Sequence, residues 1–252
     1  MDLGLKGKKV ILTGGSRGIG RATLQLFAAE GCHVAFFSRR QQQVDETVAA
    51  LKKYGNPVFG SSFDMNDTAG YAGWLTGAAE KLGGCDIFVP GASSSGSQLT
   101  GDWQKSFDFD LMGTVKGCET LQPYLEKSGA GCVVIMSSTA AVETFLVPQA
   151  FNSIKAALLT YSKQLSQAWA AKDIRVNSVT PGPIGFAGGN WEAIKDAMPD
   201  LYKGTLSQIP LGRLGTPDDV ARTIVFLASP ASQYTTGTNI VIDGGFTKRV
   251  QF

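Results

Sequence analysis

Glycines cluster near the start of the chain, in the segment Thr13-Gly14-Gly15-Ser16-Arg17-Gly18-Ile19-Gly20. A strand-like run at residues 8–13 precedes this loop, and a helix-like stretch begins near residue 18. In such a turn glycine permits the sharp bend and lets the backbone approach a phosphate, while the start of the helix offers free N–H groups and a positive dipole end. Tight turns also use glycine for steric reasons alone, but the strand before and the helix after favour nucleotide binding. The candidate phosphate-binding residues are Gly14, Ser16, Arg17, Gly18, Ile19 and Gly20.

Short apolar runs alternate with longer amphipathic stretches along the whole chain. Runs rich in β-branched and aromatic residues predict seven strands, at residues 8–13, 33–38, 57–62, 85–90, 132–138, 174–179 and 239–243. Helices are predicted near residues 18–30, 41–54, 66–82, 103–127, 149–171 and 217–229, with a further one at 190–206 in an irregular insertion. This alternation is typical of right-handed βαβ units. The sequence therefore predicts an α/β fold over residues 1–252, a single domain with a doubly wound, Rossmann-type parallel seven-stranded sheet and helices on both faces.

The composition excludes several classes of protein and of site. The 252 residues include 23 Lys and Arg against 21 Asp and Glu, and the net charge of +2 gives no reason to expect nucleic acid or an anionic membrane as a partner. No apolar run reaches the roughly 18 residues of a membrane span. Cys32, Cys85, Cys118 and Cys132 stand singly, as is typical of buried cysteines in a cytoplasmic protein. With His33 as the single histidine, we expect no metal site and no Ser-His-Asp hydrolysis.

Several motifs make the chain resemble the short-chain dehydrogenase/reductase family, closest in style to its 3-oxoacyl-carrier-protein reductase branch. The glycine loop has the spacing G-x-x-x-G-x-G, Asp64 follows the third strand, and Pro181-Gly182 follows the sixth. The closing strand carries Asp243-Gly244-Gly245, so the likeness covers essentially the whole chain. The resemblance implies the strand order 3-2-1-4-5-6-7, a nicotinamide dinucleotide cofactor and a homotetramer.

The same resemblance assigns contacts to the cofactor. It implies that Asp64 contacts the adenine ring and that Pro181 and Ile184, with Gly182 between them, border the nicotinamide. The family's usual threonine near position 186 is Phe186 here, which removes one expected hydrogen bond to the carboxamide.

Members of this family reduce carbonyls with an asparagine, a serine, a tyrosine and a lysine. By resemblance, Ser138 holds the substrate oxygen and Lys155 binds the nicotinamide ribose. The tyrosine position is Phe151, which the i, i+4 spacing places on the same helical face as Lys155, and the asparagine position is Asp110. Phenylalanine has no titratable proton, so the usual acid, a contribution of about 10²–10⁴-fold, is missing.

Three explanations of Phe151 stay open. It is an engineered replacement in a deliberately slowed enzyme, or it is natural and Asp110, Glu143 or a water bound by Lys155 provides the proton, or the protein is a nucleotide-binding pseudoenzyme. A non-redox enzyme on the same fold is a further alternative, because fold does not fix chemistry. The candidate lining residues of an apolar substrate pocket are Phe145, Phe186 and Trp191.

The end of the second strand, Phe37-Ser38-Arg39-Arg40, distinguishes between the two nicotinamide cofactors. An enzyme that uses NAD places an acidic residue there to bind the ribose 2′-hydroxyl, whereas Arg39, with Arg17, can bind the 2′-phosphate of NADP(H) by charge-assisted hydrogen bonds. The alternative is that both arginines are solvated side chains at the end of the strand and bind no phosphate. The sequence therefore predicts a cytoplasmic, homotetrameric NADPH-dependent oxidoreductase that reduces a small ketone or aldehyde, or oxidises the corresponding alcohol.

Overall fold

Seven parallel strands form one sheet in the order β3-β2-β1-β4-β5-β6-β7, which confirms the predicted order. The computed structural model describes residues 2–94, 102–144 and 148–250. The strands are β1 (Lys9–Thr13), β2 (His33–Ser38), β3 (Val58–Ser62), β4 (Ile87–Val89), β5 (Gly131–Met136), β6 (Ile174–Pro181) and β7 (Asn239–Ile242). The strand order reverses between β1 and β4, and in open parallel sheets the crevice at such a point binds ligands at the carboxyl ends of the strands.

Helices cover both faces of this sheet. They are α1 (Gly18–Ala29), α2 (Gln41–Lys52), α3 (Gly70–Leu82), α4 (Trp103–Ser106), α5 (Gly113–Lys127), α6 (Ala150–Trp169), α7 (Asn190–Ala197), α8 (Pro199–Ser207) and α9 (Pro217–Ala228). Short 3₁₀ turns lie at Thr139–Ala141, Ala170–Lys172 and Pro230–Ser232.

Alternate side chains of the strands enter two separate apolar cores. Val10 and Leu12 of β1 pack with α1, α2 and α9, while Ile11 between them packs with α3, α5 and α6. All three side chains are fully buried. A strand that is apolar on both faces requires helices on both faces, which is why the sequence predicts this architecture correctly.

Two predicted helices are divided in the structure. The helix expected at 103–127 contains a π-helical segment, Phe107–Met112, between α4 and α5. Such segments occur frequently at functional sites, and this one carries Asp110. The helix expected at 190–206 is divided into α7 and α8 at Met198, because Pro199 disfavours helical geometry in the residue before it and has no N–H to continue the helix.

Candidate active site

A cavity of about 910 Å³ opens where the strands end at their carboxyl edge. Its wall is formed by the phosphate loop, by the ends of β2, β5 and β6, by the first turns of α6, and by α7 and α8. The predicted site residues in this wall are Gly14, Ser16, Arg17, Gly18, Ile19, Gly20, Arg39, Ser138, Phe151, Lys155, Pro181, Gly182 and Ile184. Asp64 and Asp110 are not part of the wall.

The phosphate loop has a backbone that requires glycine. Gly14 and Gly18 adopt φ values of +78° and +53°, which side chains rarely allow. A Cβ atom at Gly14 would lie 2.9 Å from the Cα of Ala92, and one at Gly20 would collide with the carbonyl of Gly14. The loop therefore presents bare backbone and the N-terminus of α1 to the cavity, and this arrangement fits a pyrophosphate.

A cluster of hydroxyl groups lies where β2 ends. The Oγ atoms of Ser16 and Ser38 are 2.6 Å apart, and Ser16 Oγ also donates to Oε1 of Gln43 at 3.2 Å. Arg39 follows directly, is exposed, and lines the same cavity. The cluster joins the phosphate loop to β2 and α2, and it combines hydroxyl groups with one guanidinium and no carboxylate.

The segment after β6 packs against the phosphate loop. Arg17 Nη1 donates to the carbonyl of Gly188 at 3.3 Å, so its recorded hydrogen bond joins this segment and not the hydroxyl cluster. The ring of Phe186 covers Gly18 so closely that a Cβ atom there would lie 2.7 Å from it. Ile184 is buried and forms a bridge with Gly215.

The turn at Gly182 is held against the loop that follows β7. A Cβ atom at Gly182 would come within 2.6 Å of the Cβ of Asp243. The Asp243 carboxylate accepts hydrogen bonds from the N–H groups of Gly245 at 2.9 Å and Thr247 at 2.8 Å. The motifs that follow β6 and β7 thus form one structural unit beside Pro181.

Asp64 lies on the surface beyond β3. Its Oδ1 accepts hydrogen bonds from the backbone N–H of Asn66 at 3.0 Å and from Asn66 Nδ2 at 2.9 Å. The pKa of the Asp64 carboxyl is lowered, and the hydrogen bond from the backbone N–H of Asn66 is the largest cause. Its neighbour Met65 lines the cavity. A contact between Asp64 and an adenine ring stays a prediction.

A buried ion pair connects Lys155 in the cavity wall to Asp110 behind it. Lys155 Nζ is 3.0 Å from Oδ1 of Asp110, and the side chains are only 7% and 1% exposed. Ser93 Oγ donates to the same Oδ1 at 2.5 Å, while the backbone N–H and the Oγ of Ser94 donate to Oδ2 at 3.0 and 2.6 Å. The ends of β4, the π-helical segment and α6 thus meet at one carboxylate.

These contacts fix the protonation state of Asp110. Burial alone raises the pKa of the Asp110 carboxyl, but the Lys155 ammonium and the hydrogen bonds from Ser93 and Ser94 lower it further than burial raises it. The net pKa therefore lies below the usual range, and the carboxyl is ionised at neutral pH. Asp110 acts as an acceptor and as the counter-ion of Lys155, which removes it as a candidate proton donor.

Ser138 and Phe151 face the same cavity as Lys155. Ser138 follows β5 and begins the 3₁₀ turn, where its Oγ accepts a hydrogen bond from the N–H of Ala140 at 3.2 Å. Phe151 lies in the first turn of α6, and its ring centroid is 5.5 Å from Lys155 Nζ. The predicted one-turn spacing therefore brings the ring and the ammonium together in a cation–π contact.

The outer part of the cavity is lined by side chains of mixed character. Phe186 and Trp191 lie in its wall, and Phe145 lies outside the described residues. Glu143 also lines the cavity, is exposed, and accepts a hydrogen bond from the N–H of Lys248 at 3.2 Å. The carboxyl-terminal segment thus reaches the rim of the site.

Sequence reasoning missed four polar residues of the site, namely Ser38, Gln43, Ser93 and Ser94. The signal for the two serines after β4 was available, because consecutive hydroxyl residues at the carboxyl end of a parallel strand lie at the ligand-binding edge. No signal indicated Gln43, since its role depends on the turn that folds α2 back beside Ser16.

Other kinds of site find no support among the described residues. No three His, Cys, Asp or Glu side chains are grouped there as metal ligands, and no described helix is long and apolar enough to cross a membrane. The four cysteines are buried and free. Burial raises the pKa of the Cys32 thiol to about 12 and that of Cys132 to about 11, so these thiols are unreactive at neutral pH.

Comparisons with known proteins agree with this geometry. The family model described as enoyl-(acyl carrier protein) reductase matches residues 14–247. The chain is 36% identical to isoepoxydon dehydrogenase patN of Penicillium expansum, over 100% of this chain and 99% of that protein, and 31% identical to the 3-oxoacyl-[acyl-carrier-protein] reductase FabG of Chlamydia pneumoniae, over 98% and 100%. The crystal structure of L-sorbose reductase from Gluconobacter frateurii, complexed with NADPH and L-sorbose, superimposes with a TM-score of 0.89 at 30% identity, over 99% of this chain and 100% of that one. The chain therefore belongs to the short-chain dehydrogenase/reductase family of oxidoreductases.

Proposed function

We propose that this chain is an NADPH-dependent oxidoreductase that reduces a ketone or aldehyde, or oxidises the corresponding alcohol. The observation that carries the proposal is that the phosphate loop, Ser138 and Lys155 line one cavity. The names of its relatives support a small-molecule substrate, since one relative is a dehydrogenase of isoepoxydon and one structure contains L-sorbose.

The residues present fit a nicotinamide dinucleotide. The phosphate loop and the start of α1 would hold the pyrophosphate, Ile184 with Pro181 would border the nicotinamide, and Lys155 would bind the ribose. When bound, the cofactor supplies a hydride to the carbonyl carbon. Ser138 accepts a hydrogen bond from Ala140 and keeps its own hydroxyl hydrogen for the substrate oxygen. The positive charge of Lys155 stabilises the negative charge that develops on that oxygen.

The hydroxyl cluster and Arg39 support NADP(H) over NAD(H). Ser16 and Ser38 offer two hydroxyl groups 2.6 Å apart, and Arg39 adds a positive charge beside them. A phosphate dianion would gain charge-assisted hydrogen bonds here. A carboxylate, which would repel it, is absent from this described cluster. Arg17 also lines the cavity and adds a second positive charge there, although its guanidinium donates a hydrogen bond to the carbonyl of Gly188.

A titration of both cofactors tests this assignment. We expect NADPH to bind at least about tenfold more tightly than NADH, a difference of about 1.4 kcal/mol. Arg39→Asp should narrow or reverse the ratio, because the new carboxylate repels the 2′-phosphate. Arg40→Asp is the matched control, since Arg40 is exposed but does not line the cavity, and it should leave the ratio nearly unchanged. Equal affinity of the unmodified protein for both cofactors contradicts the assignment.

Phe151 favours one second candidate, a pseudoenzyme that binds NADPH without chemistry. Single-turnover hydride transfer, followed at the nicotinamide absorbance, separates the two functions across aromatic, aliphatic and acyl-thioester ketones. Oxidation of NADPH with any of these substrates supports the reductase. Tight NADPH binding without hydride transfer to any of them supports the pseudoenzyme.

A homotetramer and a location in the cytoplasm complete the proposal. The exposed aromatic side chains of Trp103 and Phe107 lie on one helical stretch, that of Phe226 lies on α9, and that of Tyr234 lies in the segment between α9 and β7. Large exposed apolar side chains of this kind are typical of subunit interfaces, and their two positions support two different contacts in a symmetric assembly.

A further inference from the structure

Phe151 leaves the reduction without its usual acid, and the structure narrows the choice of a replacement. Asp110 is unsuitable because Ser93, Ser94 and Lys155 all donate hydrogen bonds to its carboxylate, and because it lies outside the cavity wall. Glu143 is exposed at the rim, where its carboxylate accepts the N–H of Lys248. Neither carboxyl group is arranged to give a proton to a substrate beside Ser138.

Lys155 is arranged differently. Its ammonium carries three N–H donors, of which two are directed to Asp110 Oδ1 at 3.0 Å and to the carbonyl of Met136 at 3.3 Å. Within residues 2–94, 102–144 and 148–250, Nζ of Lys155 has no further hydrogen-bond acceptor. The third N–H is therefore the one through which Lys155 can contact the ribose and the neighbouring substrate oxygen in the cavity, which Lys155 lines together with Phe151.

The backbone also holds this lysine in place. Ser137 Oγ donates to the Lys155 carbonyl at 2.9 Å, which ties α6 to the end of β5 next to Ser138. The Thr114 hydroxyl donates to the Asp110 carbonyl at 2.7 Å, which fixes the π-helical segment on the other side. The ammonium and the Ser138 hydroxyl therefore occupy fixed positions in one wall.

We propose that Lys155 is the proton donor of the reduction and that Asp110 is the positioning residue that orients its ammonium. This inference rests on the proposed reductase function. In the reduction, the carbonyl carbon receives a hydride with its electron pair and the π electrons of the C=O bond move to oxygen. The oxygen then takes a proton from Nζ of Lys155, which leaves a neutral amine beside Asp110, and solvent in the open cavity returns the proton before the next turnover.

The direction of this transfer is favourable. An alkoxide is about as basic as hydroxide, whose conjugate acid, water, has a pKa of about 15.7, whereas a lysine ammonium ordinarily titrates near 10.4. Proton transfer from a lysine ammonium to a full alkoxide is therefore downhill.

Variants at both members of the ion pair test the proposal. Lys155→Met alone would leave the fully buried Asp110 carboxylate without a counter-ion and risks misfolding. The test therefore compares Asp110→Asn, which keeps the ammonium and leaves it without its carboxylate, with the double variant Asp110→Asn/Lys155→Met, in which both groups are neutral, and thermal unfolding of each variant checks that it is folded. Lys163→Met, on the same helix but bonded to the carbonyl of Gly237, is the matched control for loss of a lysine. NADPH affinity is measured by fluorescence titration, and hydride transfer by single turnover at saturating NADPH.

We expect the Lys163→Met control to transfer hydride at nearly the rate of the unmodified protein, and Asp110→Asn to be slower because the Lys155 ammonium loses the carboxylate that orients it. The double variant should be slower than Asp110→Asn by about 10²-fold or more, beyond any loss of NADPH affinity. In Asp110→Asn/Lys155→Ala, where the shortened side chain leaves space, methylammonium should restore part of the lost rate, whereas tetramethylammonium, which carries the charge without an N–H proton, should not. A Lys155→Met double variant that stays within about tenfold of Asp110→Asn overturns the proposal, as does rescue of the alanine variant by neither cation or by both equally. Failure of the unmodified protein to transfer hydride to any ketone overturns the reductase function itself.

Discussion

Adding a hydroxyl group at Phe151 should accelerate the reaction much more when the charge of Asp110 is also removed. Phe151→Tyr returns a phenol to the face of α6 that carries Lys155, whose ammonium would favour the phenolate. Asp110 opposes this effect, because its ionised carboxylate already neutralises Lys155 at 3.0 Å. We therefore expect the two substitutions to be strongly coupled.

The structure gives the size of this coupling. The Lys155–Asp110 distance is 3.0 Å, and a charge-assisted hydrogen bond from the phenol to Nζ adds about 2.8 Å, so phenolate and carboxylate would be about 6 Å apart. At an effective dielectric constant of about 20, their repulsion is about 2.8 kcal/mol. That energy raises the pKa of the introduced phenol by about two units. We expect Phe151→Tyr alone to gain less than about tenfold, and the same change in Asp110→Asn to gain about 10²-fold, within the usual range for a positioned acid.

The assay is a double-mutant cycle on single-turnover hydride transfer at saturating NADPH. The tyrosinate absorbance, titrated with pH in each protein, measures the pKa of the introduced phenol independently of activity. Phe107→Tyr is the matched control, since this exposed ring lies on the π-helical segment outside the cavity wall and its new hydroxyl should change nothing. Equal gains from Phe151→Tyr with Asp110 present and absent would refute the electrostatic reasoning.

Four further outcomes can be checked. Light scattering at micromolar concentration should return a mass near four times 26.6 kDa, and a clean monomer would contradict the tetramer. Gly20→Ala should weaken NADPH binding by about 10²-fold or more because its methyl group meets the Gly14 carbonyl, while Gly73→Ala, where a Cβ meets nothing, should bind normally and be more stable by about 0.5–1 kcal/mol. Thr216→Ala removes the capping box at the start of α9 and should cost about 1 kcal/mol, seen as a Tm lower by about 2–4 °C. Because the folded-state pKa of Asp110 is lowered, its contribution to stability is present above about pH 4 and is lost as pH falls further, so Asp110→Asn should flatten the acid side of the stability profile measured by urea unfolding.

The architecture could be predicted from sequence because its signals are local. β1 and β2 are apolar on both faces, and this pattern requires a parallel sheet covered by helices whatever the details of packing. The helix expected from residue 66 begins at Gly70 instead, because Asp67 accepts the N–H of Gly70 in a turn of its own. Element type followed from periodicity, while the first residue of this helix depended on one side-chain hydrogen bond.

Site residues that share one element were also predictable. Phe151 and Lys155 need only a helix to lie on the same face, and the structure places the ring 5.5 Å from the ammonium. The phosphate loop likewise depends on a run of eight residues between one strand and one helix. The hydrogen bond of Arg17 could not be predicted in this way, because its acceptor is the carbonyl of Gly188, 171 residues away.

The sequence by itself determined the fold, the glycine-rich loop after β1 and the absence of a tyrosine at position 151, since each depends on continuous stretches of residues. Only the tertiary structure decided what Asp110 does. Its carboxylate meets Ser93, Ser94 and Lys155 from two other elements, and its protonation state depends on the balance between burial and those contacts. A residue's type gives its ordinary chemistry. Whether a carboxyl donates a proton or accepts hydrogen bonds depends on its burial and on the distances to its neighbours. For Asp110 these are set only when the end of β4, the π-helical segment and α6 pack together.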